Sequence, residues 1–193
     1  MTQRLPCKAC GELIHPDTAN KNEGLCMPCK GGYRANIEAN KQQREKDRLY
    51  EKGPERQYWL HLVKRVHATQ DGFQQLNAPE KTYFAVACLV GEVYNGGFDQ
   101  FFSNSSGSLY AYALDGLLEM EAGECAIQLA RAKEILFGEE IIPFDKAERN
   151  ANMRQDIATA ELSALNDEFC EDREGLTVRC MQFAKIHGLY QDG

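Results

Sequence analysis

The stretch Glu92-Val93-Tyr94-Asn95-Gly96-Gly97-Phe98-Asp99-Gln100-Phe101-Phe102-Ser103-Asn104-Ser105-Ser106-Gly107 decides the fold. It follows a nearly uninterrupted apolar run, Tyr83 to Val90, too apolar for a surface helix and too short for a membrane span. A helix buried on most faces must end, and Asn95-Gly96-Gly97 is a strong stop, because Gly takes a left-handed backbone without steric cost. The sequence therefore predicts a sharp corner with positive φ at Gly96. Phe98, Phe101 and Phe102 return from it into the core, Asp99 caps their turn, and Ser105 or Ser106 caps the next helix.

Outward from the corner the pattern is helical. Trp59, Leu62, Val63 and Val66 recur at i, i+3, i+4 and i+7. Asn77-Ala78-Pro79 is a helix start with Pro in the first turn. Beyond the corner, Tyr110, Leu114, Leu117 and Leu118 share one face, opposite Asp115 and Glu119. Gly123 precedes a helix over Ile127–Leu136 that Gly138 ends. Ile141-Ile142-Pro143-Phe144 reads as a short apolar crossing, with Asp145 capping a helix that runs through Met153 and Ile157 towards Leu165. A last helix carries Leu176, Cys180, Phe183 and Ala184 and stops at Gly188. No alternating strand pattern and no internal repeat occurs, so the body is all-α.

The first fifty residues differ. Cys7-x2-Cys10 and Cys26-x2-Cys29 have the spacing of a structural four-cysteine zinc site, one Zn2+ per chain, in a small treble-clef or ribbon-like finger. Gly11 suits the first knuckle, Leu13-Ile14 and Gly24-Leu25 frame a short hairpin, and the second pair opens a helix whose amides favour thiolate. His15 is an alternative ligand, but four cysteines already complete a tetrahedron, and a closed site leaves no position for catalysis. Residues 36–52 form a helix polar on every face. Lys41, Arg44, Lys46 and Arg48 interleave with Glu38, Glu45, Asp47 and Glu51, which favours a solvated connector over a nucleic-acid patch. Gly53-Pro54 breaks it. The resulting plan is a zinc finger over 1–35, a linker over 36–54 and a helical domain over 55–193.

Charge follows the same division. Residues 1–57 hold 11 Lys and Arg against 8 Asp and Glu, and residues 58–193 hold 11 against 21, so the formal −7 is +3 and −10. Such a body repels phosphates and argues against direct nucleic-acid binding by it. The acidic residues are bunched as Glu119, Glu121 and Glu124; as Glu134, Glu139, Glu140, Asp145 and Glu148; and as Asp167, Glu168, Glu171, Asp172 and Glu174. Asp115/Glu119, Asp167/Glu171 and Glu168/Asp172 stand one helical turn apart, about 6 Å, a spacing comparable with successive phosphates.

The string NGGFDQFFSNSSG, preceded by Glu92-Val93, resembles the signature of a bacterial family whose named members are DNA-mimic proteins, small, acidic, helical and dimeric. The resemblance spans roughly residues 55 to 190 and leaves the first fifty outside. It implies a non-enzymatic protein that occupies the DNA-binding face of a regulatory protein, with Glu119, Glu121, Glu124, Asp167, Glu168, Glu171 and Asp172 as the partner surface. A homodimer and a role in transcription regulation are implied by the family alone. The rival is an adaptor whose zinc finger contacts DNA or RNA while the acidic body recruits protein. A small enzyme built on Glu92, Asp99 and Ser103 is disfavoured, since the motif holds no His to activate the serine. His61, His67 and His187 are scattered, and Cys88, Cys125, Cys170 and Cys180 read as core thiols. With no apolar leader and no spanning run, the sequence predicts a cytoplasmic protein.

Overall fold

The computed structural model describes residues 3–154 and 159–191. They form two compact units, divided between Arg56 and Gln57. The chain is predominantly α-helical, with a small zinc-finger-like unit at its N-terminal end. Among the described residues no helix is long and apolar enough to cross a membrane.

In the first unit, β1 (Leu5–Pro6) pairs antiparallel with β2 (Leu13–Ile14). The turn between them is the first cysteine knuckle, closed by the Gly11 amide donating to the Cys7 carbonyl at 2.9 Å. The hairpin therefore flanks Cys7 and Cys10, and Gly24-Leu25 is not one of its strands. Gly24 instead accepts from the Lys8 amide at 3.0 Å, drawing the loop before the second pair onto the first knuckle. A short helix that periodicity did not reveal, α1 (Pro16–Lys21), is capped by His15, whose Nδ1 accepts the Asp17 amide. Cys26 is the N-cap of α2 (Met27–Lys30). The polar segment is a helix, α3 (Arg34–Lys52), with no buried residue and with its charges paired along it, Arg34 to Glu38, Lys41 to Glu38 and Arg48 to Glu45.

The second unit is organised by α5 (Ala78–Ser103), which buries Tyr83, Phe84, Ala85, Val86, Leu89, Val93, Phe98, Phe101 and Phe102. Its start is a capping box: Asn77 Oδ1 accepts the Glu80 amide at 2.9 Å, and the Glu80 carboxylate accepts the Asn77 amide at 3.0 Å. That reciprocal pair satisfies two amides that a helix end leaves orphaned. α4 (Pro54–Ala68) brings Trp59 to stack on Phe84, with ring centres 5.3 Å apart. α6 (Tyr110–Glu119), α7 (Gly123–Phe137), α9 (Thr159–Cys170) and α10 (Leu176–Ile186) complete the core around α5.

The corner corrects the sequence reading. Asn95-Gly96-Gly97 bends the helix without ending it: Gly96 is extended at φ −163°, and positive φ falls on Gly97, at +86°. The helix resumes because Asn166 of α9 accepts the Phe98 amide at 2.9 Å, supplying from 68 residues away the cap assigned to Asp99. A 3-10 helix, Ser105–Leu109, leads into α6, and neither Ser105 nor Ser106 caps a helix. On α6 the buried stripe is Ala113, Gly116 and Leu117, so Leu118, one residue round the helix, stands 58% exposed. The 141–144 crossing is buried only in part, with Ile142 packed against the core. Ile141 and Phe144 are 90% and 80% exposed, because Arg149 takes the interior position and anchors the backbone of this segment instead of its side chains. α8 (Lys146–Asn152), capped by Asp145 Oδ1 on the Glu148 amide at 2.9 Å, ends before Met153, whereas the sequence predicted a continuous helix; Ile157 lies outside the described residues.

Candidate functional site

Four sulfurs converge in the first unit. The Sγ atoms of Cys7, Cys10, Cys26 and Cys29 all lie within 4.8 Å of one another, and Cys10 and Cys26 are 3.7 Å apart. Sulfurs at the corners of a tetrahedron with metal–sulfur bonds of about 2.3 Å stand about 3.8 Å apart, so the cage fits an ion of zinc size. His15, occupied at the start of α1, is not part of it. The cage also suits thiolate chemistry. The Cys26 amide donates to Cys7 Sγ at 3.2 Å, and this bond, outweighing burial with help from the Cys10 and Ala9 amides, draws the Cys7 thiol down to about 6. Cys29 is pushed up to about 12 by its bond to Cys26, by burial and by the other sulfurs. A divalent cation among four thiolates would offset their mutual repulsion.

In the second unit the inside of the corner is a polar knot on Glu92. Its Oε2 accepts from Gln100 Nε2 at 2.7 Å and from Asn104 Nδ2 at 2.9 Å, and its Oε1 accepts from Ser106 Oγ at 3.0 Å. Ser103 Oγ donates to the Gln100 carbonyl one turn back, so Glu92 and Ser103 are engaged in holding the corner's shape and do not face one another as acid and nucleophile. Behind the knot lies Arg149, fully buried. Its Nε donates to the Phe102 carbonyl at 2.6 Å, Nη2 to Asn104 at 2.5 Å, and Nη1 to Pro143 and Phe144 at 2.9 Å each. Gly107 leaves room for this, since a Cβ there would stand 2.5 Å from the Phe102 oxygen and 2.6 Å from Arg149 Nε. In the sequence Arg149 sits in the charged run Lys146-Ala147-Glu148-Arg149, and nothing there distinguishes it from a solvated residue.

The acidic residues divide into two kinds. Asp172, at φ +47°, accepts the Leu176 amide at 2.5 Å and so starts α10; Glu174 accepts the Cys125 amide at 2.9 Å in the first turn of α7. Burial would raise the Glu174 carboxyl, but the Cys125 and Glu124 amides outweigh it and hold it low. Glu171 receives Arg173 Nε at 2.7 Å, and Glu119 receives Thr82 Oγ1 at 3.3 Å. Glu121 is exposed in a turn beside α10 and stands 3.9 Å from Arg179. Glu124, Asp167 and Glu168 are exposed, and Glu124 of α7 and Glu168 of α9 line one shallow hollow with Arg173. Two of the bunched groups, remote in sequence, thus meet on one face, while Glu119 and Glu121 border a separate hollow against α10.

A family model described as DMP19-like protein matches residues 74–187, more than half of the chain. The chain belongs to the DMP19-like family. This is a family of DNA mimics and not a known enzyme family, and membership implies a DNA-binding protein, in general terms, as partner. No curated protein and no solved structure matches the chain. The DMP19-like match contains the α5 corner, the Glu92 knot, Arg149 and the exposed carboxylates of α7 and α9, and it leaves out the cysteine cage. Among the body's thiols, Cys125 and Cys180 are buried, whereas Cys170 is exposed, contrary to its reading as a core residue. Burial pushes Cys88 and Cys125 up to about 12, which leaves both as protonated, unreactive thiols at neutral pH.

Proposed function

We propose that the DMP19-like body acts as a DNA mimic, presenting carboxylates to the phosphate-reading face of a DNA-binding regulatory protein. The observation that carries this reading is the meeting of Glu124 of α7 with Glu168 of α9, next in the chain to the exposed Asp167, in a domain of this family. Exposed carboxylates fixed on neighbouring helices present negative charge without bases, so they complement residues that position a protein on phosphates. The full chain, immobilised and exposed to lysate of its native cell, should retain a DNA-binding protein that operator DNA displaces. Retention of partners that stay bound alongside their DNA would overturn the mimic reading in favour of an adaptor.

The head, in the same reading, is folded by one Zn2+ on Cys7, Cys10, Cys26 and Cys29, with a structural role because four protein ligands close the site. Elemental analysis of protein purified without chelator should find one zinc per chain. Cys26→Ser should abolish that zinc while the cooperative melting of the body persists, since among the described residues the buried cluster around α5 and the one around the cysteines share no residue.

A further inference from the structure

A hollow of about 550 Å3 opens in the second unit beside the Glu92 knot. Its lining mixes apolar and aromatic residues, among them Phe73, Phe84, Cys88, Leu109 and Phe144, with polar ones that include Glu92, His67 and Ser108. The volume lies within the range of small-molecule sites, about 300–1,000 Å3. Two features distinguish it from an ordinary surface dent. Phe144 is an exposed ring at the hollow whose backbone Arg149 holds by its carbonyl at 2.9 Å, so the chain that carries the ring is anchored. Glu92 is a carboxylate fixed by three neutral donors, Gln100, Asn104 and Ser106. None of the residues lining the hollow is Lys or Arg, although Lys81 Nζ stands 5.9 Å from the centre of the Phe73 ring, and among the described residues no ion pair reaches Glu92.

A carboxylate accepts about four hydrogen bonds, two per oxygen. Oε2 of Glu92 already takes two, and Oε1 takes one, from Ser106. One acceptor position and a whole negative charge therefore remain at the edge of an aromatic cavity. The complementary ligand carries a hydrogen-bonding cation at one end and an apolar body at the other. An anion is repelled by Glu92, and a neutral apolar molecule leaves the charge unanswered.

We propose that this hollow is a binding site for a small organic cation, a primary ammonium on an aryl or alkyl body, with Glu92 receiving the ammonium and Phe73, Phe84 and Phe144 enclosing the apolar part. The site is independent of the mimic reading, which rests on α7 and α9. Glu92 keeps its place in the corner and gains a second role as anchor. Phe144, exposed because Arg149 takes the interior position, is available to line the hollow.

The test titrates the full chain with 2-phenylethylammonium chloride and follows amide resonances by NMR at constant ionic strength. Saturable shifts in the millimolar range are expected, concentrated at Phe73, Cys88, Ser106 and Ser108. The same ring without the charge, 2-phenylethanol, should bind at least about tenfold more weakly, and 3-phenylpropanoate should not saturate. Phe144→Ser, which removes an exposed ring and leaves the Arg149 bonds to backbone intact, should lower affinity about fivefold or more without shifting the melting temperature. Glu92→Gln should remove the preference for the ammonium over the alcohol, and this ratio is readable even if the variant is less stable. Equal binding of the ammonium and the alcohol, absence of saturable shifts, or unchanged affinity in Phe144→Ser would each overturn the proposal.

Discussion

Gly97 is the residue on which the corner turns. Its φ of +86° is a region that other L residues adopt only with strain, and a Cβ there would stand 2.5 Å from Asn166 Nδ2 and 2.8 Å from Asp99 Oδ1. Asn166 is also the acceptor for the Phe98 amide, so a side chain at 97 displaces the cap that restarts the helix. Gly97→Ala should therefore destabilise the protein by about 2 kcal/mol or more. Gly96 is the contrasting position. Its φ of −163° is open to any residue, and the obstacle to a Cβ is the Gln100 side chain, which can turn away at the loss of its bond to Glu92. Gly96→Ala should cost about 1 kcal/mol or less. Urea unfolding of the two variants, compared at equal slope, separates them; equal losses would mean that the strain is not at Gly97. Sequence reading located the turn but assigned the positive φ one residue early, because two adjacent glycines carry no mark of which one bends.

At the level of elements, α5 was legible for physical reasons. A run as apolar as Tyr83–Val90 must be interior, and Asn77-Ala78-Pro79 has the residues a helix start requires. Trp59, Leu62, Val63 and Val66, and the Leu176–Ala184 face, were equally plain, since amphipathic periodicity follows directly from one-sided burial. What the sequence concealed were bonds between distant parts: Asn166 on Phe98, Glu174 on α7, Arg149 on four carbonyls. A remote cap has no local spacing to announce it. Glu80 joins both kinds, being local partner to Asn77 and long-range partner to Arg65, which donates to it from α4. Burial alone would raise the Glu80 carboxyl; the Arg65 guanidinium and the Asn77 amide outweigh it and hold the carboxyl below its ordinary 4.5. A carboxyl held lower in the folded state than in the unfolded one stabilises fully above its unfolded value and loses that contribution as pH falls through the folded value. Glu80→Gln should then cost about 1–2 kcal/mol at pH 7. The gap in melting temperature between variant and wild type should close as the pH is lowered below about 4. A gap independent of pH would show that Glu80 acts through packing and not through its charge.

For the whole molecule the question is what an acidic body gains from charges that repel one another. Residues 58–193 carry a formal −10, yet the carboxylates are not equivalent. Asp172 and Glu174 start helices and Glu171 is paired with Arg173, so these belong to the fold, whereas Glu124, Asp167 and Glu168 are exposed. The triple variant Glu124→Gln, Asp167→Asn and Glu168→Gln lowers the body's charge from −10 to −7 and leaves every cap in place. Asp167 and Glu168 lie in the last turn of α9, which ends at Cys170, so Glu171 and Asp172 (φ +47°) follow the helix and are not the helical i, i+4 partners that the sequence predicted; negative charge in a last turn opposes the helix dipole by about 0.3–1 kcal/mol. The variant should accordingly melt at the same temperature as the wild type or slightly above it. Its hold on a DNA-binding partner should fall about tenfold or more at 0.1 M salt, where screening acts over about 10 Å, and its binding should depend less steeply on salt. Function and stability then move in opposite directions, which a surface acidic only for solubility does not predict. Undiminished partner binding by a well-folded triple variant would show that these carboxylates do not form the mimic face.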